Sequence, residues 1–156
     1  MNDSGITIAT YAELAHDPER LVKLYELDWA LWQDVPFGQP VTKRTLEQFA
    51  AVEVNHPSSL HDACFIAVKG GEYIGYSRLI EGEDGFSTDM TGVLRAYRGI
   101  GLATLLKLCG IRYTQEHAGR YLWVVNDAVN EAMLGLNQKL GFVRIGAMVR
   151  FVKHLG

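Results

Sequence analysis

The chain is predicted to fold as an α/β domain on a mixed, mostly antiparallel sheet flanked by helices, and three observations predict it. Three β-type segments between Cys64 and Leu94 follow one another through tight glycine-bearing turns, the pattern of an antiparallel meander. Two stretches of helical period separate a short N-terminal strand from that meander. A further helical run joins the last meander strand to a nearly all-apolar segment, as in a right-handed parallel crossover.

Taken in order, Gly5 to Thr10 alternates Ile6 and Ile8 with small or polar residues, the mark of a half-buried strand. From Pro18, which suits a first helical turn, Leu21, Leu24, Tyr25 and Trp32 recur at helical spacing. The segment from Asp34 to Pro40 breaks that helix. Thr42 to about Asn55 reads as a second, with Thr42 or Thr45 as cap and Leu46, Phe49, Ala50 and Val54 on one face. After the turn His56 to Ser59, strands run from Cys64 to Val68, Tyr73 to Ile80 and Phe86 to Leu94, joined through Gly70-Gly71 and Gly82 to Gly85. Leu102 to His117 is a third helix with Gly119 as its stop, and Gly110 inside it implies close packing against a neighbour. Tyr121 to Val125 reads as a strand covered on both faces. Asp127 is a good cap for a last helix ending at Gly141, and Phe142 to Val152 supplies the final strands.

With 156 residues, 48% of them hydrophobic, residues 1–156 are expected to form a single globular domain burying about 70% of its unfolded surface. No apolar run approaches the ~20 residues of a membrane span and no basic-then-apolar leader opens the chain, so a cytoplasmic protein is expected. A formal net charge of -3, without a basic run, argues against nucleic acid. Cys64 and Cys109 lie in apolar surroundings without ligand spacing and read as inert thiols, and the scattered histidines give no zinc site, so no metal is expected.

Arg98-Gly99-Ile100-Gly101-Leu102-Ala103 carries the most chemistry. Residues without side chains just before a helix uncover several backbone N–H groups and let a ligand approach them. The helix dipole adds partial positive charge there and Arg98 a fixed one, which suits an anion, most simply a phosphate. Further on come the strand Tyr121 to Val125, then Asn126 and Asn130, then Asn137 and Lys139-Leu140-Gly141-Phe142. In that order and spacing the chain resembles the GNAT superfamily of N-acetyltransferases, most closely over residues 86 to 145.

The resemblance implies a GNAT-like fold and acetyl-CoA as cofactor, with coenzyme A as product. The loop Arg98, Gly99, Ile100, Gly101, Leu102 and Ala103 would hold the pyrophosphate, and the pantetheine arm would lie between the strands Phe86 to Leu94 and Tyr121 to Val125. Gly92, inside the first of these, marks a bulge or a close backbone approach, or a relaxed packing demand. Asn126 would reach a pantetheine amide or cap the last helix; Asn130, one turn into that helix, would face the cofactor or solvent. Backbone N–H groups near Val93 and Leu94 would polarise the thioester carbonyl. Many members place a tyrosine where this chain has Asn137, which can hydrogen-bond the sulfur but cannot protonate it. Tyr97 reads as a packing residue.

Asp89 is the candidate base, placed by alternation on one face with Ser87 and Thr91; Glu81, Glu83 and Asp84 form the other acidic group. Trp29, Trp32 and Phe37 with Asp28 and Asp34 would wall an acceptor pocket for a cationic amine, and Trp32 alternatively belongs to the core. The expected activity is transfer of an acetyl or short acyl group to a primary amine of a small molecule or peptide, directly, in a ternary complex. A homodimer is the assembly allowed for. The rival reading is a non-catalytic acyl-CoA-binding sensor or regulatory module of the same fold. A dinucleotide oxidoreductase fits less well, because Thr104 replaces the third glycine of that fingerprint.

Overall fold

A computed structural model of the chain describes residues 4–34, 41–126, 130–147, 151, 153 and 155. Five strands, β1 (Ile6–Thr10), β2 (Ser59–Lys69), β3 (Glu72–Gly82), β4 (Gly85–Val93) and β5 (Tyr121–Val124), lie in sequence order in one sheet. The first three pairings are antiparallel and β4–β5 is parallel, so the meander and the crossover are both present.

Helix α1 (Arg20–Trp32) begins two residues after Pro18 and buries Leu24, Leu27 and Leu31. Helix α2 (Leu46–Phe49) runs into one π-helical turn, Ala50–Val54. Of the two expected caps, Thr45 is the one used: its hydroxyl accepts from the Gln48 N–H at 3.1 Å, and the Gln48 side chain accepts from the Thr45 N–H at 2.9 Å. Alternation along β2 sends Cys64 and Ile66 towards α1 and α2, where Leu24, Leu31, Phe49 and Val54 meet them. Ala63, Phe65 and Ala67 face the other way with Leu79 and Val93, against Leu102 and Leu106 of α3 (Leu102–Glu116). Gly110 has the close neighbour its position implied, because a Cβ there would lie 3.3 Å from Leu79 Cδ2. Helix α4 (Glu131–Lys139) follows β5.

Four expectations need correction. Ala118, with φ +55°, takes the left-handed position after α3, and Gly119 follows it, donating its N–H to the Thr114 carbonyl at 2.9 Å. The cap of α4 is Asn130, whose Oδ1 accepts from the Met133 N–H at 3.3 Å; Asp127 lies outside the described residues. Strand β5 is not covered on both faces: Tyr121 is 48% exposed, and Val125 just beyond it is 70% exposed. Residues 142–147 form no strand, and Val143 and Ile145 are exposed. Alternation marks which side chains would share a face, but a strand also needs a pairing partner, and no described strand supplies one there. Among the described residues no helix is long and apolar enough to cross a membrane.

Candidate active site

Gly99 and Gly101 have φ of +81° and +82°, values that side-chain-bearing residues rarely adopt. Gly101 is the N-cap of α3 and supplies no side-chain cap, and the first helical bond after it joins the Leu105 N–H to the Gly101 carbonyl at 3.0 Å. The amides of Leu102, Ala103 and Thr104 therefore precede the hydrogen-bond ladder. A Cβ at Gly99 or Gly101 would meet no atom within 4 Å, so the space beside these two glycines is open.

Arg98 is more firmly held than its place in the loop suggested. Its Nε donates to the Val93 carbonyl at 2.9 Å and its Nη2 to Asp34 Oδ2 at 2.9 Å, while Arg95 Nη2 reaches Asp34 Oδ1 at 2.7 Å. The hydrogen bonds from Arg95, and after them those from Arg98, hold the Asp34 carboxyl below the usual carboxylate range. Asp34 thus fastens the loop to the end of α1 and does not wall an acceptor pocket. A phosphate at the turn would share the half-exposed Arg98 with it.

Beside the loop the sheet opens. Parallel pairing of β4 with β5 covers only Gly85↔Tyr121 to Thr88↔Val124, whereas β4 continues to Val93. Among the described residues no strand pairs with β4 beyond Thr88 on that side, where a gap opens. The two residues expected to polarise a carbonyl there are not equivalent. Leu94 donates its N–H to the Ile74 carbonyl at 2.9 Å and is committed to β3. Alternation turns the Val93 N–H the other way, towards the gap. Gly92 is neither bulged nor relaxed: a Cβ there would come within 2.8 Å of Leu31 Cδ1, so glycine admits the close approach of α1. Gly92→Val is accordingly expected to lower stability by about 1–3 kcal/mol through overpacking, measured by denaturant unfolding.

On the far side of the gap, Asn137 is 5% exposed and donates from Nδ2 to Asn126 Oδ1 at 2.6 Å. Asn126 therefore pairs with α4 and does not cap it. Asn137 Oδ1 is buried without a partner among the described residues, so the atom it has on offer is an acceptor, whereas a leaving thiolate needs a donor. Asn130 stands at the start of α4, not one turn into it, with its carbonyl oxygen used in the cap.

The bulge in this part of the sheet lies at Asp89 itself. Arg78 pairs with Met90 and Leu79 with Thr88, which leaves Asp89 without a partner on β3. Thr91 shares a 2.8 Å hydroxyl hydrogen bond with Ser77, whereas Asp89 accepts from Arg78, the next residue of β3 and hence on the opposite face. The expectation that Asp89 and Thr91 share a face is thus overturned, and Asp89 turns towards α1 and α2. There it ends a charged network that sequence reading missed. Arg78 also bonds Glu53, Glu53 meets Arg44 at 2.8 Å, Arg44 lies 3.7 Å from Asp28, and Asp28 accepts from the Tyr76 hydroxyl. Burial pushes the Asp28 carboxyl up, outweighing the lowering by Tyr76 and by the arginines, and burial likewise raises the Tyr76 phenol. The one signal available beforehand was an arginine inside the apolar run Tyr73 to Ile80.

The remaining candidates sort simply. Glu83 and Asp84 form the β3–β4 turn, whose carbonyls accept from Trp123 Nε1 and from the Arg120 and Tyr121 amides. Trp29 and Trp32 are half-buried on α1, with Lys43 Nζ 5.9 Å from the Trp29 ring; Phe37 lies outside the described residues. Tyr97 packs against the core on the α3 side. Burial pushes the Cys64 thiol up to about 12 and raises that of Cys109, as inert thiols require.

A family model described as Acetyltransferase (GNAT) family matches residues 21–142. The mycothiol acetyltransferase of Paenarthrobacter aurescens (strain TC1) is 40% identical over 55 residues, 35% of this chain and only 17% of that protein's length. The ribosomal-protein-S18-alanine N-acetyltransferase of Escherichia coli has the same fold at a TM-score of 0.68 and 18% identity, over 90% of this chain and 79% of that one. An aminoglycoside N-acetyltransferase solved in complex with CoA superposes at 0.67 with 18% identity, over 96% of this chain and 94% of that one. An open, uncapped helix start beside a parted pair of parallel strands, within a match that spans most of the sequence, means that the chain belongs to the GNAT family of acetyltransferases, whose acyl donor is acetyl-CoA.

Proposed function

We propose that the chain transfers an acetyl or other short acyl group from acyl-coenzyme A to a primary amine of a small molecule or peptide, directly, with both substrates bound. The observation that carries this reading is the meeting of two features at one end of α3: the uncapped amides behind Gly99 and Gly101, and the parting of β4 from β5 beyond Thr88. The pyrophosphate takes the amides of residues 99–103 with Arg98 beside them. The arm runs into the gap past the Val93 N–H, with Asn126 and Asn130 on its far side, and the thioester comes to rest by the bulged stretch of β4.

The acceptor nitrogen attacks the thioester carbon and the C–S bond breaks. A cationic acceptor loses one proton before its nitrogen can attack and a second as the amide forms; the departing sulfur takes up one, and the other leaves through the base to solvent. Asp89 receives the amine's proton: Arg78 holds its Oδ2, and Oδ1 has no partner among the described residues. Around it Asp28 and Glu53, with Asp89 itself, outnumber Arg44 and Arg78, which favours a cationic acceptor, and Trp29 supplies apolar wall. The similar proteins, a mycothiol acetyltransferase, a ribosomal-protein-S18-alanine N-acetyltransferase and an aminoglycoside N-acetyltransferase, are consistent with amine acetylation. Residues 1–156 act as one domain in this scheme.

A second reading, a sensor that holds acyl-coenzyme A without turnover, is favoured by Asn137, which offers the sulfur no acid. Incubating the protein with acetyl-CoA and a panel of primary amines, and following free thiol, separates the two. Amine-dependent thiol release supports the transferase. Calorimetric binding of acetyl-CoA without release for any amine class supports the sensor, and absence of binding overturns both.

A further inference from the structure

Lys107 stands on α3 between Leu106 and Leu108 and is only 4% exposed. A lysine so deep normally has a carboxylate beside it. Among the described residues Lys107 has no hydrogen bond and no ion pair, and its ammonium contacts the Phe142 ring, with the centroid 5.8 Å away. Burial pulls this ammonium down to about 8, and no titratable side chain of α3 or of any other described element adds to that effect or offsets it. Phe142 belongs to the turn after α4 and donates its N–H to the Asn137 carbonyl at 3.0 Å. Asn137 also carries a buried atom without a partner, its Oδ1 acceptor, as does Arg78 at its Nε on the far side of the sheet.

A donor from α3 and an acceptor from α4, both buried and both unmatched, therefore gather about one turn. Helical side chains lean towards the helix N-terminus, so Lys107 reaches back towards the end of α3 that carries the glycine turn. Unmatched buried groups are costly, and a fold retains them where a ligand completes them. A secondary amide presents a carbonyl and an N–H on opposite sides, which is the complement of this pair.

We propose that Lys107 and Asn137 together hold one amide of the pantetheine arm, Lys107 donating to its carbonyl and Asn137 Oδ1 accepting its N–H. Lys107 is then a positioning residue that sets the depth of the arm, and no bond is made or broken at it. The inference rests on acyl-coenzyme A lying between β4 and β5.

Lys107→Met keeps the buried stem and deletes the charge. Two effects of opposite sign are expected. Without ligand the variant should melt a few degrees higher, since an uncompensated buried charge is gone. Its Kd for coenzyme A should rise by about tenfold, the scale of a lost charge-assisted hydrogen bond. Affinity for adenosine 3′,5′-bisphosphate, which has the nucleotide end and lacks the arm, should not change. Wild-type affinity for coenzyme A should also fall as pH rises from about 7 to about 9 and the ammonium deprotonates, a trend absent from the variant. Unchanged coenzyme A affinity overturns the proposal, and so does an equal loss for the bisphosphate, which would assign Lys107 to phosphate. A lower melting point with both ligands weakened overturns it in favour of a packing role. Wild type that binds no coenzyme A would refute the functional reading beneath it instead. If Lys107→Met does not fold, Asn137→Leu tests the acceptor half by the same pair of ligands.

Discussion

Gly101→Asp is expected to abolish acyl-coenzyme A binding while the protein stays folded. Nothing lies within 4 Å of a Cβ at this position, so the new side chain would not clash with the protein. It would occupy the space that a phosphate needs, and its carboxylate would cap the open amides of α3 itself, since aspartate is among the best N-cap residues. The helix dipole that attracts the ligand would be spent on the protein's own anion, and a second negative charge would face the incoming pyrophosphate. Losing two charge-assisted hydrogen bonds corresponds to at least about 100-fold in Kd. Gly101→Ala is the control: it bears the same backbone strain at φ +82° without the charge and should weaken binding less. Calorimetry on both variants, with melting curves to verify folding, decides the matter. Retained affinity in Gly101→Asp would refute the anion seat, and equal losses in the two would attribute the effect to backbone strain.

Asp89→Asn should lower turnover by about 100-fold or more and leave the Kd for coenzyme A nearly intact, the pattern of a positioned base that does not touch the cofactor. The substitution is isosteric and keeps an oxygen for Arg78, whose pairing with Glu53 remains. A structural effect would therefore show as a lowered melting temperature, and none beyond a few degrees is expected. Steady-state kinetics with the best amine from the panel would measure the drop. Full activity in Asp89→Asn would mean that solvent or another carboxylate takes the proton, with Glu53, also bonded to Arg78, as the next candidate.

The amino-acid sequence alone determined features whose causes lie within a few residues. The Thr45 cap is a contact between neighbours in the chain, the glycine turn requires its own left-handed φ, and the faces of β2 follow from the pleat. Such features need no knowledge of what packs against them. The family resemblance likewise rested on short motifs at fixed spacing, and it carried over to the fold.

Tertiary structure decided what depends on partners far apart in the chain. The face of Asp89 was one such matter: a bulge arises from a mismatch between two strands, so neither strand shows it by itself, and one extra residue in β4 turns Asp89 from Thr91 towards Arg78. Asp34 was another, drawn from the acceptor side to Arg95 and Arg98, more than 60 residues away along the chain. Asn126 read as a cofactor ligand or a cap, and Asn137 as a partner of the sulfur, until α4 laid them against each other. Lys107 carried no signal in the sequence, and only the packing of Phe142 over α3 made it a buried, unmatched charge. In each case the energy of the group is set by long-range electrostatics and desolvation, which depend on the three-dimensional neighbours and not on residue type or spacing.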